Sequence, residues 1–338
     1  METREITNKN VWEKFNLSFP NPSYFQSWYW GEVQKATGIE TQRLGFFDKE
    51  KLFGIAQVFN IKARRGHFLY VRQGPVISDW NKKNASFVLD ELKKIAKEKN
   101  ASFVRISPLL SLGSYESLGF KNLDLRPSPT HNLDAENRWV LDLKPTEDEL
   151  LKMMRKTTRY LIRHSENEEI KVTVSENEKD LDKFLSIYAD TAKSKNFVPH
   201  SQLKEEFSVF SKAGCAKLYL AFRKKEILAG AFIIYYGNEA IYRHGATSNI
   251  GRKTSASYIA QWQAIKDAKL QGLKQYNFWG IAPTDNPKHP WQGLSLFKKG
   301  FGGRQMDFLH AMDLPIKLNY WITFVIDYLT MVKKGYNI

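Results

Sequence analysis

A single cysteine, Cys215, among 338 residues excludes an intrachain disulfide and any zinc site built on several thiolates. That scarcity suits a reducing compartment. No uninterrupted apolar run is long enough to cross a bilayer; the nearest, Trp321 to Val332, is broken by Asp327. The opening residues, Met1-Glu2-Thr3-Arg4-Glu5, are charged and lack the apolar stretch of a secretory signal. Acid is scarce relative to base, with 36 Asp plus Glu against 51 Lys plus Arg and a net charge of +15. Such an excess points to an anionic partner, whether nucleic acid, a phosphate-bearing small molecule or an acidic membrane surface. The plainer reading is a basic protein with a well-solvated surface. Several chemical signatures are also missing. There is no G-x-G-x-x-G, no phosphate loop ending in G-K-[ST], no H-E-x-x-H and no G-x-S-x-G. The histidines His200, His244 and His289 lie far apart in sequence. No metal and no bound cofactor are expected.

What is present is enough apolar and aromatic residue, 42% and 14%, to bury a large core, in a chain long enough for two domains. The organisation appears as an internal repeat. Phe47 precedes four charged residues and then Leu52-Phe53-Gly54-Ile55-Ala56; Phe222 precedes four charged residues and then Ile227-Leu228-Ala229-Gly230-Ala231. Both read as β-hairpins. Each leads to a third strand, His67 to Val71 or Glu239 to Arg243. A helix then follows, on Val88, Leu89, Leu92, Ile95 and Ala96 or on Tyr258, Ile259, Trp262, Ile265 and Lys266. A last strand closes each unit, Ser102 to Ile106 or Tyr276 to Trp279. Matched positions stay about 172 to 175 residues apart. The order strand, strand, strand, helix, strand predicts that residues 40–106 and 215–281 share one arrangement, a mixed sheet with helices packed on it. Further helices are expected over Ser23 to Ala36, ending before Gly38, and over Leu181 to Ala192.

Two segments could carry chemistry. Leu151 to Ser165 reads as one amphipathic helix with Arg155, Arg159 and Arg163 at i, i+4 and i+8, a basic stripe suited either to phosphates or to water. His289 to Gly303 combines Trp291, Phe297, Lys298 and Lys299 with Gly300-Phe301-Gly302-Gly303. Glycines let backbone approach a ligand, and a lysine beside them can hold a phosphate or a developing oxyanion. An ordinary strand-turn with exposed lysines, Lys298 and Lys299 pointing opposite ways, is the alternative.

Taken together, these segments resemble the Fem family of non-ribosomal peptidyltransferases, in the shorter form without a coiled-coil arm. The resemblance rests on Phe25-Gln26-Ser27-Trp28-Tyr29-Trp30-Gly31-Glu32, Gly74-Pro75-Val76, Arg155 to Arg163, Tyr276 to Gly280 and Phe297 to Gly303. It implies an α/β chain of two tandem acetyltransferase-like (GNAT-like) domains. The first would cover residues 1–146, with a C-terminal helix at 314–338 packing back on it; the second would cover 147–313. The apolar positions of Ile316 to Val332 suit core packing. The resemblance implies transfer of an amino acid from aminoacyl-tRNA, as co-substrate, to the stem peptide of a lipid-linked or UDP-linked peptidoglycan precursor. Lys298 matches the lysine held to stabilise the transition state. Phe297, Arg155, Arg159 and Arg163 would meet the aminoacyl-tRNA, and Lys35 and Tyr258 the precursor. The protein would act as a cytoplasmic monomer, with peripheral membrane contact where the acceptor is lipid-linked. The chain departs from the family in reading Phe197-Val198-Pro199-His200 where a precursor-binding arginine is expected, and Tyr276-Asn277-Phe278-Trp279-Gly280 for Y-D-F-x-G. Two rival functions are an acetyl-CoA-dependent N-acyltransferase and a non-catalytic RNA-binding protein. The first should carry an R-x-x-G-x-G/A turn, which Gly251-Arg252-Lys253-Thr254-Ser255-Ala256 matches poorly.

Overall fold

The computed structural model describes residues 1–111, 113, 123–195 and 197–336, with the side chains of 166 and 167 left aside. The chain forms two compact units. One comprises residues 1–137, 282–292 and 306–338, the other 138–281 and 293–305. The division after Asn137 lies upstream of the 146/147 boundary that the resemblance implies. A Thr146–Glu149 capping box there opens a helix of the second unit instead.

In chain order the first unit contributes β1 (Glu2–Glu5), α1 (Lys9–Asn16), α2 (Trp28–Ala36), β2 (Thr41–Asp48), β3 (Lys51–Ala63), β4 (Gly66–Val71), β5 (Val76–Ile77), α3 (Lys82–Glu98), β6 (Phe103–Ile106) and β7 (Arg126–Pro127). The second sheet draws on β8 (Asn137–Asp142), then α4 (Glu147–Met153), α5 (Lys156–Arg163), β9 (Ile170–Ser175), α6 (Glu178–Lys195), α7 (Leu203–Lys212), β10 (Ala216–Arg223), β11 (Glu226–Tyr236), β12 (Glu239–Thr247), α8 (Ala256–Leu270) and β13 (Gln275–Gly280). The chain ends with α9 (Gln292–Lys299), β14 (Arg304–Asp307), β15 (Met312–Pro315) and α10 (Tyr320–Lys333). Among the described residues no helix exceeds the 18 residues of α6, and none is long and apolar enough to cross a membrane.

The repeat is realised strand for strand. One sheet has the order β1-β2-β3-β4-β6-β15-β7, the other β14-β8-β13-β12-β11-β10-β9. In both, two antiparallel pairings are followed by one parallel pairing, β4 with β6 and β12 with β13. Even the irregularities match. Each first hairpin has a β-bulge at Phe46/Phe47 or Ala221/Phe222, and a positive φ at Lys49 (54°) or Lys224 (55°). Such turns bring the strands back with the right twist. The apolar stripes drive packing on each sheet. Val88, Leu89, Leu92 and Ala96 of α3 join Phe46, Val58 and Val104 in one core; Ala260, Ala264, Ile265 and Ala268 of α8 join Tyr219, Ala231 and Ile233 in the other.

The strand beyond the parallel pair comes from outside each repeat. Beside β13 lies β8, which follows the first repeat in sequence. Beside β6 lies β15, which follows the second. The C-terminal segment is fixed to β6 by buried charge. Arg105 donates from Nε to Asp313 (2.7 Å) and from its terminal nitrogens to Asp313 (2.9 Å) and Asp327 (3.2 Å). Arg65 also donates to Asp327 at 2.9 Å.

Four local expectations change. Residues 23–36 are not one helix. Tyr24–Gln26 form a 3-10 turn, and extended Ser27 then caps α2 through Trp30 N. Gly38 stops α2 at φ 78°, as anticipated. Residues 151–165 are two helices, because Met154 and Arg155 are extended (ψ 150° and 140°). Residues 314–315 belong to a strand, and the helix after them begins at Tyr320; residues 337 and 338 lie outside the described residues. Finally, that helix does not bury its apolar positions. Tyr320, Thr323 and Asp327 face inward, while Ile322, Val325 and Leu329 are exposed.

Arg105→Met leaves Asp313 and Asp327 buried without that partner, which costs about 3–5 kcal/mol. A urea midpoint for this variant close to that of the native chain would remove the ion cluster from its anchoring role.

Candidate functional site

The site is built within the second unit where its parallel pair comes apart. The ladder between β12 and β13 covers only Glu239–Ile241 against Gln275–Asn277, although both strands run on. Past that point the backbone of β13 is irregular. Its register against β8 shifts between Asn277 and Gly280, and Trp279 sits at φ 67°. A positive φ is costly for a bulky residue and needs support from its surroundings. Asn277 Oδ1 accepts from Trp279 N at 2.9 Å, and the guanidinium groups of Arg243 and Arg138 lie 4.9 and 5.6 Å from the Trp279 ring. Asn277 also donates to buried Glu239 (2.9 Å), so the asparagine that replaces the family's aspartate avoids a like-charge pair with it. Arg243 is in turn held by Glu206 at 2.7 Å.

Into this opening comes Lys298. The segment 292–299 is a helix, α9, not the strand-turn considered above, so Lys298 and Lys299 are separated by a helical step and not by strand alternation. Lys298 is 4% exposed. Its Nζ donates to Gly280 O at 2.5 Å and lies 5.9 Å from the Tyr242 ring centre. No carboxylate pairs with it among the described residues, and two of its three N–H donors have no protein acceptor there. Burial alone lowers its pKa to about 7. Lys299 lies instead over Trp139, 5.7 Å from the ring. Gly245 makes room for Tyr242, since a Cβ there would fall 1.7 Å from its hydroxyl.

An aromatic cluster flanks the lysine. Tyr258 meets Phe297 edge-on at 5.0 Å and Phe301 in a stack at 5.9 Å, and Phe301 continues to Phe278 at 5.1 Å. The glycine-rich turn after α9 is fixed against β8. Trp139 Nε1 donates to Gly302 O at 2.7 Å, and at Gly303 (φ 103°) a Cβ would fall 2.2 Å from Val140 O.

Arg155, the N-cap of α5, joins this turn. Its backbone N donates to Gly300 O at 2.9 Å, and its guanidinium lies 3.4 Å from where a Gly300 Cβ would stand. Arg159 donates to Lys152 O, and Arg163 is exposed at the end of α5. The single stripe of three arginines is therefore a pair on α5 plus Arg155 at the turn. Lys35 is in the first unit, on α2, 3.4 Å from Glu32. Thus Tyr258, Phe297, Lys298 and Arg155 come together within one unit, and Lys35 belongs to the other.

Sequence reading missed Tyr242 and Gly280, because a tyrosine and a terminal glycine in a strand give no signal of a neighbour 18 or more residues away. It also missed the histidine groupings. His200 and His244 are in ring contact at 4.8 Å. His131, His289 and His310 border a cavity of about 220 Å³ with Trp291 and Tyr336. Burial lowers His131 to a pKa of about 4. Among the described residues no group of His, Cys, Asp and Glu could hold a metal ion.

The FemAB family model matches residues 7–125, 113–207 and 200–327. The chain belongs to the FemAB family. It is 21% identical over 377 aligned residues to the lipid II:glycine glycyltransferase of Staphylococcus haemolyticus (strain JCSC1435), covering 89% of this chain and 90% of that one. The Staphylococcus aureus protein of the same name is 22% identical over 380, with the same coverage. Among solved structures, the crystal structure of FemX superposes with a TM-score of 0.81 at 20% identity, covering 97% of this chain and all of FemX. A tandem GNAT protein from the clavulanic acid biosynthesis pathway gives 0.58 at 8%, covering 93% and 98%. The fold is therefore that of two tandem GNAT-like domains.

The depressed lysine pKa has a consequence for stability. Between about 7 and 10.5 the unfolded chain holds a proton on Lys298 that the folded chain lacks, so this residue makes stability rise with pH across that window. Below pH 7 it is a buried charge and a net cost. At pH 6 Lys298→Met is expected to be more stable than the native protein, an advantage that shrinks as pH is raised from 7 toward 10. Parallel stability curves for the two proteins would contradict the burial of a titrating ammonium.

Proposed function

We propose that this protein transfers an amino acid from aminoacyl-tRNA to an amine of a peptidoglycan-precursor stem peptide. The observation that carries this reading is the buried Lys298 ammonium, with two unspent donors, beside an aromatic cluster in a FemAB-family chain. That relatives from two staphylococci are named lipid II:glycine glycyltransferases supports the precursor class. In the reaction the acceptor amine, neutral after losing a proton, attacks the ester carbonyl carbon. The carbonyl oxygen becomes anionic, and the C–O bond to the tRNA ribose then breaks, the ribose oxygen taking a proton. Aminolysis of an activated ester runs downhill, so positioning and oxyanion stabilisation can supply much of the rate. Lys298 supplies a cation to the oxyanion. Burial lowers its pKa to about 7, and an approaching anion raises it again, which keeps it charged when it is needed. Phe297 and Tyr258 pack against the aminoacyl end, and Arg155, Arg159 and Arg163 meet tRNA phosphates.

An acetyl-CoA-dependent activity is less well supported. At the start of α8, where an acyl-CoA pyrophosphate would need backbone N–H groups, Ser255 N already donates to the Glu168 carboxylate at 3.2 and 3.3 Å. Gly251 in the same turn is packed so closely that a Cβ would fall 2.0 Å from Leu228 O.

The deciding assay incubates the protein with total charged tRNA and with lipid-linked or nucleotide-linked precursor, and weighs the products. A mass gain of one or more amino-acid residues is expected with one precursor form. No gain with either, together with acetyl transfer from acetyl-CoA, overturns the proposal. In that assay Lys298→Met lowers kcat on the order of 100- to 1,000-fold with little change in tRNA affinity. Lys299→Met, lying over Trp139, has a smaller effect. Replacing Arg155, Arg159 and Arg163 together with Gln weakens tRNA binding and flattens its salt dependence. Lys35→Ala raises KM for the precursor more than for tRNA; the reverse pattern would move the precursor site away from α2.

A further inference from the structure

The helix α10 is amphipathic in the wrong sense for a helix that closes a protein core. Its inward residues are tied by polar bonds. Asp327 accepts from Arg65 and Arg105, and Thr323 donates to Arg65 O at 2.7 Å. Only Tyr320 and Phe324 among its rings pack inward, on Phe103 and Phe68. Its outward face carries Trp321, Ile322, Val325, Ile326, Tyr328 and Leu329, all exposed, with Ile322 at 64% and Leu329 at 59%. On a helical wheel these positions fall on one contiguous side. Val332 extends the stripe, and Leu318, 89% exposed, precedes it. A contiguous exposed apolar patch of this kind marks an interaction surface.

The flanks identify the partner. Arg126 lies 5.3 Å over the Trp321 ring, exposed Lys333 and Lys334 close the C-terminal end, and Lys317 stands just ahead of the helix. A net charge of +15 opposes pairing of two copies through such a face and favours an anionic surface. Trp and Tyr on an apolar stripe with basic borders suit the headgroup level of a bilayer. At 14 residues the helix is about 21 Å long, too short to span the hydrocarbon core, so it would lie in the interface plane. We propose that α10 docks the protein on an anionic lipid surface, apolar face down, held to its own unit by the Asp327 ion pairs. This deepens the proposed function, because it brings the enzyme to an acceptor carried in a membrane, and it rests on that reading only for its biological purpose.

The test needs no turnover. The full chain is floated with vesicles of phosphatidylglycerol and phosphatidylcholine, alongside the triple variant Ile322→Glu, Val325→Glu, Leu329→Glu. The native chain is expected to float with vesicles containing phosphatidylglycerol and to bind phosphatidylcholine alone far more weakly. The variant, whose changes are all on exposed positions, should bind at least about tenfold less with an unchanged thermal midpoint. A second variant, Lys333→Gln with Lys334→Gln, should weaken binding and reduce its salt dependence. The proposal is overturned if the native chain does not float, if the triple variant binds equally well, or if the same substitutions convert a dimer to a monomer in sedimentation. Because product formation is not the readout, loss of transferase activity and loss of docking are separable results.

Discussion

The Arg105 guanidinium, gripped by Asp313 and Asp327, ties the end of the chain to a strand formed two hundred residues earlier. It makes β15 part of the first sheet and seats α10 against the same unit. The stretch between β13 and β15 is thereby fixed at both ends in different sheets. That stretch carries α9, and with it Lys298 and Phe297. A buried charge cluster of this kind adds little net stability over an apolar replacement, but removing one partner is expensive, so it specifies where the segment goes more than how firmly the protein folds.

The site works against stability in the opposite way. Lys298 is buried with one carbonyl partner and no counterion among the described residues. A protein selected only for stability would place an apolar side chain there. An ammonium kept close to neutral pKa, with donors left unused, is the kind of local cost that a reaction can exploit, since it meets a developing negative charge without first releasing a protein partner. The glycine turn and Trp139 hold the helix that delivers it, and the separation of β12 from β13 gives it room.

Much of the architecture was legible in the residues. Two hairpins with matching charged turns carried the duplication, and the structure adds matching bulges at Phe46/Phe47 and Ala221/Phe222. Their hydrophobic patterns repeat because each sheet must bury the same face. The strand exchange was not legible, since β8 and β15 look like any short strand and pairing partners are a property of tertiary context. The break at Met154–Arg155 escaped because no proline or glycine marks it; the bond from Arg155 N to Gly300 O replaces the helical one. The polar inward face of α10 escaped for a related reason. Apolar residues predict burial only when nothing else anchors the helix, and here Asp327 does. At the candidate site, Lys298, Phe297 and Tyr258 were named from motif and resemblance, whereas the Tyr242 ring and the Gly280 carbonyl beside Lys298 became visible only once the strands were placed.

Whether Lys298 acts through its charge is the most direct test of this account. In a chain with Cys215→Ser, Lys298→Cys can be alkylated in denaturant and refolded, either with 2-bromoethylamine, which restores an ammonium at nearly the original length, or with iodoacetamide, which leaves a neutral amide. Single-turnover transfer from charged tRNA should recover at least about tenfold more in the aminoethylated protein than in the carbamidomethylated one. Equal rates from the two refolded proteins would show that the buried ammonium has no electrostatic part in the reaction.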